Sequence, residues 1–130
     1  MGSTSTWWRQ LLLPCAESSP ALARSFVRAH LHENGLASRC DDVELVVSEL
    51  ATNAVVHART ACSVRLAYGG GVLHLHVQDR SPEPVRPTVD RGADAPGGRG
   101  LVLVDAFSDA WGVRTAAPGA KTVWATFAVH

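Results

Sequence analysis

Near the middle of this chain the spacing of apolar residues changes, and that change limits the folds open to it. Up to about residue 58 apolar side chains recur every three to four positions, whereas from Cys62 onward they alternate two by two. Leu22, Phe26, Ala29 and His30 mark one amphipathic helix, with Ser18 or Ser19 as its cap, Pro20 in its first turn and Asn34-Gly35 at its end. Asp41 or Asp42 opens a second, in which Leu45, Val46, Leu50, Ala54 and Val55 form a broad apolar surface reaching about Ala58. Cys62–Tyr68 and Val72–Val77 then flank Gly69-Gly70-Gly71 as a hairpin.

The remaining segments complete the frame. Residues Met1–Thr6 are small and polar, a loose terminus, and Trp7–Leu13 is a short strand stopped by Pro14. Arg80–Gly98 is rich in Pro and Gly and poor in apolar residues, which at this length reads as a functional lid over about 80–98. Leu101–Phe107 suits a short helix, and Ala110–Arg114 with Thr122–Val129 makes a final hairpin around Pro118-Gly119. The order β-α-α-β-β-loop-α-β-β predicts an α+β two-layer sandwich over 7–130, with helices on one face of a mixed or antiparallel sheet.

Composition narrows the function. The 130 residues suit one domain, and 46% hydrophobic residues suffice for a core. Twelve basic side chains balance twelve acidic ones, so no general charge draws the chain to nucleic acid or to acidic membranes. Leu11–Ala16 is far short of the ~20 apolar residues of a membrane span. The chain reads as cytoplasmic. Cys15, Cys40 and Cys62 have neither disulfide-framework nor zinc spacing, and read as reduced apolar residues.

Four polar features stand at the edges of this frame. Glu49, Asn53 and His57 lie at i, i+4 and i+8, a stripe on the second helix in which a carboxylate and an amide one turn apart can orient a nucleophile and ligate Mg2+ through oxygen. Asp79 ends an alternating strand, where a carboxylate can accept a hydrogen bond from the exocyclic amine of adenine. Gly97-Gly98-Arg99-Gly100-Leu101 opens into a helix, whose free N–H groups attract anions. Gly119-Ala120-Lys121-Thr122-Val123 begins the last strand. Each alone also fits ordinary surface or turn chemistry, and the two common nucleotide loops, G-x-x-x-x-G-K-[ST] and G-x-G-x-x-G, are absent.

Taken in order, these features resemble the GHKL ATP-binding superfamily, and within it the small anti-sigma factor serine kinases of the RsbW/SpoIIAB type. Val47–Ala58 is similar to that family's N box, and Gly98-Arg99-Gly100-Leu101 with Val104-Asp105 and Trp111-Gly112-Val113 to its second glycine region and following strand. The resemblance covers about residues 7–129 and implies the Bergerat, or histidine-kinase-like ATPase, fold. It implies ATP and Mg2+ as cofactors and a serine/threonine kinase that controls a sigma factor by partner switching with an anti-anti-sigma (STAS) protein. A homodimer is implied in the same way. Glu49 would be the catalytic base, Asn53 the Mg2+ ligand, and Asp79 the adenine contact with Thr122 near it. Gly98, Arg99, Gly100 and Leu101 would meet the phosphates, and His57 would be a satisfied structural histidine. Arg24 and Arg28 on the first helix read as solvated surface.

One departure stands out. The family commonly runs D-x-G-x-G where this chain has Asp79-Arg80-Ser81-Pro82, so a serine replaces the glycine that makes room near the base and a proline stiffens the lid. A second reading therefore stays open: a module that binds nucleotide without transferring phosphate, or binds none, and regulates its partner stoichiometrically.

Overall fold

In the computed structural model, which describes residues 5–80, 98–115 and 119–129, the change of period becomes a division into layers. Strand β1 (Trp7–Leu13) precedes helices α1 (Ser19–Glu33) and α2 (Cys40–Asn53), the latter entered through a 3-10 turn at Ala37–Arg39 and left through a π turn at Ala54–Ala58. Strands β2 (Cys62–Gly69) and β3 (Val72–Asp79), helix α3 (Gly98–Phe107) and strands β4 (Ala110–Thr115) and β5 (Lys121–Ala128) follow. The sheet runs β1-β2-β3-β5-β4, and every neighbouring pair is antiparallel. Most of the predicted lid, Pro118 and the first four residues lie outside the described residues.

Turn chemistry fixes the register of the central hairpin. Gly69 pairs with Val72, so Gly70 and Gly71 form a two-residue connection, and their φ values of 60° and 78° are those of a type I′ turn, which follows the strands' own twist. Alternation then sends Val64, Leu66, Leu73, Leu75, Val77, Ala125 and Phe127 to one face. The helices cover that face with Val27 and Leu31 of α1, Val43, Val46, Val47 and Leu50 of α2, and Val104 of α3. Among the described residues the other face carries no helix. Among the described residues no helix is long and apolar enough to cross a membrane.

Two local expectations need correction. The buried stripe of α1 is Ser19, Ala23, Val27 and Leu31, one position beyond the one read from the larger side chains, and Leu22 is 48% exposed. Small and β-branched residues take the inner line, while Phe26 and His30 stack edge-on at the flank, ring centroids 4.8 Å apart. The serine at the start of α1 does not cap it either: Ser19 is buried and its Oγ donates to the Pro14 carbonyl at 2.6 Å. The second helix opens one residue ahead of the expected Asp41, at Cys40, and both acids lie in its first turn, where the helix dipole favours them.

Arg24 and Arg28 are more than solvated surface. Arg24 Nη1 donates to Ser48 Oγ at 2.7 Å and Arg28 Nη2 to Glu44 Oε1 at 2.9 Å, tying α1 to α2. The Cys40 thiol donates to the other Glu44 oxygen at 3.0 Å. Burial and that bond push the Cys40 pKa up to about 12. Burial, opposed by the stronger combined pull of Cys40 and the two arginines, leaves the Glu44 carboxyl below its ordinary range. All three cysteines are free.

Candidate functional site

The second half of α2 turns Leu50 and Ala51 into the core, and this orientation leaves Glu49 and Asn53, one turn apart, at the margin. Both are half-buried, and among the described residues neither side chain has a hydrogen bond or ion pair. A half-buried carboxylate and amide with their lone pairs unengaged carry a desolvation cost that a ligand would relieve. The stripe stops there. The helix closes in a π turn, Arg59 takes a left-handed φ of 57°, and Thr60 N–H donates to the Ala54 carbonyl at 3.2 Å. That wider turn carries His57 off the stripe into solvent, so it is not the satisfied structural histidine expected.

Two connections bring other elements to this end of α2. Thr60 Oγ1 accepts a hydrogen bond from Arg80 N–H at 3.2 Å, which sets the exit of the π turn beside the end of β3. At the opposite end, Arg39 Nη1 lies 3.5 Å from Asp109 Oδ2 and donates to the Ala128 carbonyl at 2.6 Å, fastening the tail of α3 to the beginning of α2. The two helices pack together and so run antiparallel. Ten residues of α3 rise about 15 Å, which carries Gly98–Leu101 back to roughly the level of Glu49. The Trp111 indole N–H bonds Asp105 Oδ1 at 2.8 Å and holds α3 against β4.

Asp79 sits on the covered face of the sheet, 7% exposed, opposite Lys121 in register, with Lys121 Nζ 3.5 Å from its Oδ2. Its neighbour across β2 is Cys62, whose thiol burial and the Asp79 charge push up to about 11. Thr122 does not join this group. It pairs with Gln78, and strand alternation puts it on the uncovered face, with Lys121 in the position expected of it. Sequence reading missed Lys121 as a site residue; the one available signal is that it is the chain's single lysine, next to the threonine that was chosen.

Glu49, Asn53, Asp79 with Lys121, and the glycine-led start of α3 thus gather at one end of the molecule. The oxygen donors of Glu49 and Asn53, without partners among the described residues, suit a hard cation, and the N–H groups of a helix's first turn suit phosphate. Leu101 is half-buried in that turn, and Gly98, Arg99 and Gly100 supply its backbone.

Residues 14–127 match the histidine kinase-like ATPase domain family. Among solved structures, the RsbU and RsbW domains of Rv1364c from Mycobacterium tuberculosis are similar, with a TM-score of 0.72 and 22% identity. The match covers 94% of this chain and 32% of that one, so the present chain spans about a third of its length, and at this identity the likeness is one of fold. No curated protein matches.

Proposed function

The chain belongs to the histidine kinase-like ATPase domain family, and from that premise we propose that it is a regulatory kinase: it binds ATP with Mg2+, captures a sigma factor, and phosphorylates a serine or threonine of an anti-anti-sigma (STAS) partner. The observation that carries this reading is the pair Glu49 and Asn53, half-buried and without a hydrogen bond or ion pair among the described residues, on the helix against which α3 packs. The donor set suits the ligand: the Asn53 amide oxygen is a hard donor for Mg2+, and the α3 N–H groups face anionic oxygens. The buried Asp79 carboxylate at the end of β3 is the group that would receive the adenine amine. When bound, ATP would supply its γ-phosphoryl group to the partner's hydroxyl and leave as ADP, with Mg2+ neutralising its charge. Glu49 takes up the proton released by the partner's hydroxyl, and phosphoryl transfer otherwise demands mainly positioning and charge neutralisation. Adding about −1.5 to −2 charge to the partner's contact surface then ejects it. The work of this protein is cytoplasmic in that reading.

The test is direct. Purified protein with labelled ATP, Mg2+ and the STAS protein made alongside it should transfer phosphate, while Glu49→Ala binds ATP as before and transfers none. Transfer at equal rates by both proteins would remove Glu49 from the chemistry. The Ser81-Pro82 departure favours a second reading, a stoichiometric binder without transfer; calorimetry showing ATP affinity with no labelled partner, wild type included, would establish it.

A further inference from the structure

We propose that the uncovered face of the sheet docks a protein partner presenting carboxylates among apolar side chains. A single-layer sheet with no helix on one side ordinarily turns polar, mixed-charge residues to water. This face does not. Its outward positions include Trp8, 53% exposed, and Leu12, 73% exposed, with Trp124 half-buried between them and the far edge. Across the same rows stand Arg65, His76 and Arg114, and none of the outward strand positions is Asp, Glu or Lys.

That composition, tryptophan and arginine without aspartate, glutamate or lysine, is the one that protein interfaces concentrate at their centres. The side chains are also pre-positioned. Arg65 lies over the Trp8 ring at 4.5 Å, and Trp124 rests on Gly112, where a Cβ would come within 2.7 Å of the indole. Rings held in place lose little entropy on binding.

Charge selects the occupant. Among the described residues Arg65 and Arg114 find no carboxylate on this face, and burial together with Arg114, His74 and Arg65 holds the half-buried His76 below its ordinary pKa. A carboxylate set among these groups relieves their repulsion. A second copy of the chain, docked face to face, would instead bring its own arginines against them, at a cost. Nucleic acid would find only two full cations and no lysine here, too few for the phosphate contacts that dominate such binding.

The surface lies on the opposite side of the sheet from Glu49 and Asn53, so its test is independent of nucleotide chemistry. A short synthetic peptide of Glu, Leu and Gly should shift the indole N–H signals of Trp8 and Trp124 and the ring signals of His74 and His76 in NMR. The double variant Arg65→Glu, Arg114→Glu should bind it at least about tenfold more weakly, with an unchanged far-UV spectrum and urea midpoint. No shifts at that face, or equal shifts from a Lys, Leu and Gly peptide, would overturn the proposal. So would tighter binding of oligo-dT at the same signals, which assigns the face to nucleic acid. A sedimenting dimer that only the double variant loses would assign it to self-association.

Discussion

At the scale of single residues, the candidate site trades stability for readiness. Glu49 is half-buried with no partner among the described residues, so the fold gains nothing from its charge. Glu49→Gln should unfold at the same urea concentration as the wild type or a higher one, while phosphate transfer is lost; a clear drop in the urea midpoint would mean that the carboxylate has a structural task. Lys121 behaves oppositely. It faces the buried Asp79 but stays 29% exposed along its side chain, so its removal should cost less than the ~3–5 kcal/mol of breaking a fully buried pair. We expect about 1–2 kcal/mol for Lys121→Met in chemical denaturation, with Asp79→Asn in the same background recovering the part that comes from this ion pair. Failure of the double variant to recover would show that the ion pair is idle. Spacing and strand position alone single out Glu49, Asn53 and Asp79 as candidates, and the fold sets the first two half-buried on α2 and the third buried at the end of β3. The exchange of Lys121 for Thr122 was not, since one residue of register decides which face a strand position occupies.

At the scale of elements, what the sequence made plain was period. Trp7–Leu13 and the Gly70-Gly71 hairpin occur where the sequence predicts them, the first from its β-favouring apolar composition stopped by Pro14, the second from alternation on both sides of paired glycines. The inner line of α1 was misread because hydrophobicity favours Leu22 and Phe26, whereas close packing against α2 favours Ala23 and Val27. The π turn has no local signature among Ala54–Ala58. Gly112 illustrates a constraint that only pairing reveals: β4 sets it opposite Trp124, with the indole lying where its Cβ would be. Gly112→Ala should displace that ring outward, lowering stability by about 1–3 kcal/mol, as small-to-large changes in packed sites do. Tryptophan emission should move to longer wavelength, and the acidic peptide should bind less well. Unaltered emission would mean that the backbone yields instead of the ring.

At the scale of the whole molecule, topology joins groups that the chain keeps far apart, and two of them set how the fold responds to acid. On the uncovered face, burial and then the positive charge of Arg114, His74 and Arg65 lower the pKa of His76, so the folded chain takes up this proton less readily than the unfolded one. Stability from this source is complete above the ordinary imidazole value near 6.5 and falls as pH drops from there toward the folded value, then levels. On the covered side, Glu44 is held low despite burial by the Cys40 thiol and by Arg28, so its contribution is present above the ordinary glutamate value of about 4.3 and vanishes as pH falls through the lowered folded value. The upper decline sets in at about pH 6.5 and the lower one below about 4.3, so their onsets are separate. Urea midpoints measured from pH 8 down to pH 3 should therefore decline in two stages. His76→Gln should remove the upper stage alone, and Glu44→Gln should flatten the lower one while reducing stability at neutral pH. A single acid transition insensitive to His76→Gln would show that the cations of the uncovered face do not press on that ring in solution, and would weaken the case for an acidic partner there.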